Sequence, residues 1–273
     1  MQVKVLVENT SVSSKYKSKH GLCLYIQTAK HKILFDLGPN GLFLENARKM
    51  NVNIADIDTV VISHGHVDHA GALSLFLQYN HSAKIYIRET AFDKHYTKVL
   101  GLPFSVGLDR SLRGNKQIIF TERVEGIDDE LTLFSDVQSK ELTSSSNRAL
   151  LAEINGKKQI DNFTHEQNLL ITEGDKAILF AGCAHAGIVN IKTRAEQLTN
   201  GKALKIIGGF HLYNPISKKH ESKELIDKIV ERLDDGETRY YTCHCTGQWA
   251  YRHMKGRLKD NLEHLSTGNK IEI

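Results

Sequence analysis

Residues 63–71 read SHGHVDHAG, and no other stretch restricts this chain so tightly: His64, His66, Asp68 and His69 fall within six consecutive positions. With 14 histidines in 273 residues, composition alone would produce an H-x-H-x-D-H run in only about two of a thousand such chains. Imidazole and carboxylate are ligands for first-row divalent cations, so the run reads as a metal-binding segment. The apolar run at 58–63 predicts a buried strand that ends at Ser63, and a helical pattern starts at about Ala70. The cluster therefore lies on a strand-to-helix connection at the carboxyl edge of a sheet, where α/β proteins place their sites.

The rest of the chain supplies the fold that this position needs. Apolar, β-branched runs predict strands at 3–7, 22–28, 32–36, 58–63, 84–87, 116–120, 130–134, 168–172, 176–182, 204–209 and 238–242. Helical patterns occupy 40–50, 71–79, 187–198 and 222–233, the last with Leu225, Ile226, Ile229, Val230 and Leu233 on one stripe. Alternation of the two predicts an α/β class. Only three prolines and no Gly/Ser linker interrupt it, so the expectation is a single domain over 1–273. Residues 91–168 show the least pattern, GLPFSVGLDRSLRGN above all, and are expected to form an irregular, substrate-shaping insertion.

Charge and composition narrow the function. Thirty-six Lys and Arg against 32 Asp and Glu give a net charge of +4 and a pI near 8.7, less basic than a dedicated nucleic-acid binder. Nucleic-acid partners are not expected. No apolar run reaches the ~20 residues of a membrane span, and the opening MQVKVLVENT lacks the basic-then-apolar pattern of a leader, so no membrane partner and a cytoplasmic location are the expectations. Cys23, Cys183, Cys243 and Cys245 are spaced like reduced thiols, not like a disulfide framework. CHCTG at 243–247 reads as small residues packed around a histidine, since two cysteines cannot make a zinc ribbon.

Four ligands in six residues crowd one tetrahedral ion that also needs an open position; two ions accommodate them better. His64 and His66 can point to one ion, Asp68 and His69 to a second. Further ligands must come from elsewhere, and His185 in ILFAGCAHAG, His211 in KIIGGFHL and His244 in YYTCHCTG each follow an apolar strand among small residues. By contrast His31, His81, His95, His220, His253 and His264 stand in polar or helical surroundings and are read as surface histidines; His20 and His165 fall between the groups. Asp36 in FDLG is placed to brace ligand histidines through hydrogen bonds, or to serve a turn.

These residues resemble the metallo-β-lactamase-fold superfamily, whose hallmark is H-x-H-x-D-H after a strand. The similarity is greatest to the branch that includes the archaeal 7,8-dihydropterin-6-methyl-4-(β-D-ribofuranosyl)aminobenzene-5′-phosphate synthase and bacterial metal-dependent hydrolases. It runs through VLVENT (5–10), KHGLCLYI (19–26), ILFDLGPNGLFLENA (33–47), VVISHGHVDHAGAL (60–73), FAGCAHAGIVN (180–190), GGFHL (208–212) and CHCTG (243–247). The resemblance implies an αββα sandwich of two mixed β-sheets flanked by helices, with a dinuclear site at one edge. It also implies His64, His66 and His185 on the first ion, Asp68, His69 and His244 on the second, and His211 beside them as a ligand or as a hydrogen-bond or proton-transfer partner. Many members carry a bridging aspartate in a strand-end G-D pair, whereas this chain has Gly182-Cys183. Cys183 is then a thiolate ligand or, the preferred reading, a small buried residue; if it held the aspartate's place, His165 would be the preceding ligand in place of His185.

The cofactor expected is a pair of divalent ions, zinc before iron or manganese. Such a pair lowers the pKa of a bound water towards ~7, so hydrolysis of a small anionic ester, phosphoester-like, is the first expectation, with Asp68 orienting the nucleophile and His211 meeting a developing oxyanion or passing a proton. Lys and Arg of 91–168 would meet the substrate's charge. A second expectation is a transferase condensing a dihydropterin diphosphate with the aminobenzene ribotide, favoured by an aromatic or amide-lined slot. A third is a non-catalytic or redox-sensing metal protein. Substrate-binding residues and oligomeric state are not legible.

Overall fold

The computed structural model describes residues 1–273, the side chain of Ala203 excepted. The β-branched runs pair into two seven-stranded sheets. The first has the order Lys270–Glu272, Gln2–Val7, Cys23–Gln27, Lys32–Phe35, Thr59–Val61, Lys84–Ile87, Ile118–Phe120. Its first three junctions are antiparallel and its last three parallel. The second runs Leu262–His264, Arg239–Thr242, Ala203–Gly208, Lys176–Ala181, Asn168–Glu173, Leu131–Phe134, Val124–Gly126, parallel through the first four strands and antiparallel after them. Both sheets are mixed.

Burial divides the apolar side chains into three layers. Val3, Leu24, Ile33 and Phe35 of the first sheet meet Leu133, Leu169, Ile178, Phe180 and Ile207 of the second, filling the space between the sheets. The outer face of the first sheet packs on Phe43 and Ala47 of helix Leu42–Lys49 and on Leu73 and Phe76 of helix Leu73–Tyr79. The outer face of the second packs on helices Ile188–Leu198, Lys223–Leu233 and Gln248–Leu258. Covered on both faces, central strands such as Thr59–Val61 carry continuous apolar runs and no polar alternation. The architecture is the expected αββα sandwich. No helix among the described residues is long and apolar enough to cross a membrane.

Between 91 and 168 the chain is more regular than its sequence pattern suggests. Strands Lys157–Ile160, Leu150–Ile154, His95–Val99 and Leu102–Ser105 form a four-stranded antiparallel sheet. The GLPFS part of the stretch expected to be loop is one of its edges. Leu102–Ser105 and Lys157–Ile160 are exposed along their whole length, so no buried face imprints a period of two on them. Helix Gln248–Leu258 also escaped the periodicity reading, because it buries only Ala250, Met254 and Leu258, a stripe one residue wide.

Parallel strands Lys176–Ala181 and Ala203–Gly208 pair Ala181 with Gly208 at the edge where the site lies. Gly208 has φ +152°, and a Cβ there would stand 1.9 Å from the Ala181 carbonyl oxygen. Gly208→Ala is therefore expected to destabilise the protein by about 3 kcal/mol, read as a lowered urea midpoint; an unchanged midpoint would refute this account of the strand end.

Candidate metal centre

Every candidate ligand emerges from the carboxyl end of a parallel strand. Asp36 follows Lys32–Phe35, and Ser63 and His64 follow Thr59–Val61 beside it. His66 caps the short helix Val67–Ala70, which carries Asp68 and His69 in one turn. From the second sheet, Cys183 and His185 follow Lys176–Ala181, His211 follows Ala203–Gly208, and His244 follows Arg239–Thr242. Parallel strands put all these ends on one edge, so residues more than a hundred positions apart meet. Asp36, Ala184, His211 and His244 have φ of 60°, 55°, 50° and 49°. Left-handed backbone at non-glycine residues costs on the order of 1 kcal/mol or more each and collects at functional sites.

One pattern of hydrogen bonds fixes four imidazoles. His69 Nδ1 donates to Asp36 Oδ2 at 2.6 Å, His244 Nδ1 to Asn9 Oδ1 at 2.9 Å, and His185 Nδ1 to Asn147 Oδ1 at 3.1 Å. The amide groups of Asn9 and Asn147 donate to the carbonyls of His244 and His185, which settles which end of each asparagine accepts. His64 Nδ1 donates to Ser63 Oγ at 2.9 Å, and that hydroxyl donates to Asp36 Oδ2 at 2.7 Å. With the proton on Nδ1, each ring turns an Nε2 lone pair inward.

The lone pairs face one another. His69 Nε2 lies 3.1 Å from His244 Nε2, and His64 Nε2 lies 3.4 Å from His185 Nε2. Asp68 Oδ2 is 3.3 Å from His244 Nε2, 3.7 Å from His69 Nε2 and 3.2 Å from His20 Nε2. Ligands on a tetrahedral ion with bonds of ~2.0–2.1 Å are about 3.3 Å apart. The His66 ring packs 4.6 Å from that of His64 and 5.1 Å from that of His185, centre to centre. Its Nε2 is buried without a hydrogen-bond partner among the described residues, as are both ring nitrogens of His211, whose ring lies 4.3 Å from His185. Opposed lone pairs and orphaned buried nitrogens are the donor set that a divalent cation satisfies.

The electrostatics agree with this. Burial, and after it the crowd of neighbouring imidazoles, pushes His64, His66 and His185 well below the usual histidine range, leaving them neutral as ligands must be. Burial opposes charge on Asp68, but His69, His20 and His244 hold its carboxyl well below the usual carboxylate range. His69 is pulled the other way: burial lowers it, yet Asp36 and Asp68 raise it to about 9. Two carboxylates around one buried imidazole mark a place for positive charge.

The sequence-selected residues His64, His66, Asp68, His69, His185 and His244 converge, with His211 at their side. Three others join them that sequence reasoning placed elsewhere or left undecided. His95 was expected at the surface and is instead 2% exposed: its Nδ1 donates to Asp161 Oδ2 at 2.9 Å and its Nε2 to the Thr90 carbonyl at 3.1 Å. His165 accepts from the Gly65 amide with Nδ1 and donates to Asp161 with Nε2. His165 is thus fully occupied and packs edge-to-face behind His66, ring centres 5.4 Å apart, while His185 holds the inward position. Asp161 carried no signal in the sequence, and only the fold of the inserted sheet brings it beside His95, 66 residues away. His20, the third, pairs with Asp68 and packs on His244, ring centres 4.6 Å apart.

Above these residues a cleft is walled by Val67, Thr97, Val106, Leu150, Pro215 and Ile216. The inserted segment thus contributes Thr97, Val106, Ser146 and Leu150, and not the lysines and arginines expected of it, among the described residues lining the cleft. A second pocket adjoins through Tyr213 and His244 and is lined by Asn9, His220, Gln248, Trp249 and Arg252. Its arginine comes from helix Gln248–Leu258.

Known proteins resemble this arrangement along the whole chain. Residues 19–142, which include the H-x-H-x-D-H run, match the family model of the metallo-beta-lactamase superfamily. The 7,8-dihydropterin-6-methyl-4-(beta-D-ribofuranosyl)-aminobenzene-5'-phosphate synthase of Methanocaldococcus jannaschii is 24% identical over 96% of this chain and 92% of its own. An uncharacterised protein of the same archaeon is 27% identical over 90% of each. The crystal structure of Tm1679, a metal-dependent hydrolase of the beta-lactamase superfamily, superposes with a TM-score of 0.85 at 28% identity, covering 100% of this chain and 99% of that one. That fold, those full-length relatives and the matched motif converge: the chain has the metallo-β-lactamase fold, and its residues 19–142 match the model of that superfamily.

Proposed function

We propose that this protein is a metal-dependent hydrolase in which two divalent ions, zinc by the chemistry of the donors, act on a small anionic ester of the phosphoester kind. His64, His66 and His185 hold the first ion; Asp68, His69 and His244 hold the second. The observation that carries the reading is the pair of opposed Nε2 contacts at 3.1 and 3.4 Å, with each Nδ1 committed to an oxygen. Ions so bound supply Lewis acidity and a water acidic enough to attack near neutral pH.

The protein's own groups do the rest. Asp68 holds and orients the attacking water from the helix Val67–Ala70 while His20 steadies its carboxylate. His211, buried with both nitrogens unpartnered among the described residues, hydrogen-bonds the oxygen on which negative charge develops or passes a proton to the leaving group. Val67, Val106, Leu150 and Ile216 give the cleft above the site an apolar wall.

Metal content per chain tests the reading. Two ions are expected in the wild type and no more than one in His66→Ala, His185→Ala or His244→Ala. His211→Ala is expected to keep both and to lose roughly 10²–10³-fold in kcat on whichever phosphodiester or lactone of a panel the wild type turns over. One ion or none in the wild type sinks the dinuclear site, and loss of an ion in His211→Ala makes His211 a ligand.

A second reading has its own support. The pocket beside His244 has an aromatic and amide wall, Trp249, Tyr213, Asn9 and Gln248, with Arg252, which suits a planar heterocycle bearing negative charge. In that reading the protein condenses a dihydropterin diphosphate with β-ribofuranosylaminobenzene 5′-phosphate, and ions held by the same residues would supply Lewis acidity toward the leaving diphosphate. Release of pyrophosphate only when both substrates are present would favour it over hydrolysis.

A further inference from the structure

We infer that Cys183 is a metal ligand, its thiolate lying between the two ions as a bridge; the inference rests on the dinuclear reading above. The sulfur stands close to two donors of each triplet, His64 and His185 of the first and His69 and His244 of the second. Cys183 Sγ is 3.1 Å from His69 Nε2. It shares one group of mutually close ligand atoms, all within 4.8 Å, with His64 and His185, and another with His69 and His244. A third such group joins it to His211 and Cys245, and both ring nitrogens of His211 are buried and without a partner among the described residues.

The local backbone is built to hold the sulfur at that point. Gly182 is pressed so closely on the loop after strand Thr59–Val61 that a Cβ would lie 2.1 Å from Ser63 Oγ. Ala184 then takes φ 55°, turning the chain so that Cys183 and His185 both face the site. Cys245 is differently engaged: its sulfur accepts from the His211 amide at 3.2 Å and contacts the Cys183 carbonyl at 3.6 Å, and it shares no group with the four inward-facing histidines.

Charge gives the reason for a thiolate. Two divalent cations bring +4 into a buried site where the histidines supply no negative charge and Asp68 is the one anion among the six ligands proposed above. Buried charge is costly unless compensated, and soft sulfur is a strong zinc donor. On binding, a sulfur–metal bond replaces the S–H bond and the proton leaves to solvent; nothing is oxidised or reduced.

Cobalt(II) in place of the native metal is the probe, because thiolate bound to Co(II) has an intense near-ultraviolet charge-transfer band. Cobalt-loaded wild type and Cys245→Ser are expected to show it, and Cys183→Ser and Cys183→Ala to lack it while binding cobalt at least about tenfold more weakly. Using both substitutions guards against one that fails to fold, and the wild-type and Cys245→Ser spectra stand without either. Two cobalt ions bound without the band, or a band that survives Cys183→Ala or vanishes in Cys245→Ser, would overturn the thiolate bridge and leave the dinuclear site intact. Failure of the wild type to take up two cobalt ions would overturn the dinuclear reading and the bridge with it.

Discussion

Asp68→Asn is expected to release one metal ion per chain and to lower kcat/KM by roughly 10³-fold, with the fold retained. Asparagine keeps the shape of the side chain but removes the anion, and the Asp68 carboxylate is the group around which His20, His69 and His244 gather, with Oδ2 at 3.2–3.7 Å from all three. Its loss withdraws both an ion's charge compensation and the orientation of the nucleophile. Metal catalysis contributes several kcal/mol of transition-state stabilisation, and ~4 kcal/mol corresponds to the thousandfold loss. Metal analysis together with kcat/KM on the active substrate checks it; a variant that keeps two ions and near wild-type turnover would remove Asp68 from the site.

Asp36 gives the second large effect, and here stability and metal binding separate by choice of substitution. Its carboxylate is wholly buried and accepts from the Ser63 amide, the Ser63 hydroxyl and His69 Nδ1, at 2.7, 2.7 and 2.6 Å. Asp36→Ala leaves three buried donors unsatisfied and is expected to cost about 3–5 kcal/mol in urea unfolding. Asp36→Asn should fold far better, since asparagine tolerates the left-handed backbone found here at φ 60°. Its amide nitrogen, however, presents a donor to His69 Nδ1. The ring must then accept at Nδ1 and carry its proton on Nε2, which blocks the inward lone pair. An Asp36→Asn protein that is folded yet holds the ion at His69 about 10–100-fold more weakly is the expected result. Equal metal affinity in Asp36→Asn and wild type would show that Asp36 fills space and turns the chain but does not set the tautomer.

Much of this was legible in the sequence. The H-x-H-x-D-H run could be read because its four side chains are neighbours along the chain, and FDLG because Asp36 ends a strand beside it. His185, His211 and His244 could be found singly, each by an apolar strand followed by small residues. The edges of the inserted sheet could not be read, because Leu102–Ser105 and Lys157–Ile160, exposed along their length, bury nothing that leaves a period. His95, Asp161 and His165 were missed or left undecided for a related reason: each looks polar in its own stretch, and burial is a property of what packs over it.

The sequence by itself determined the kind of donor groups and the family of folds, because donor type and strand-forming pattern are properties of residues close together in the chain. Which histidine faces which, that Nε2 and not Nδ1 turns inward, that His95 lies buried, and that the Cys183 sulfur sits between two groups of donors were decided only by the tertiary structure. These depend on parallel strands of two sheets ending at one edge, and the distances set there separate residues that the chain holds as much as 175 positions apart.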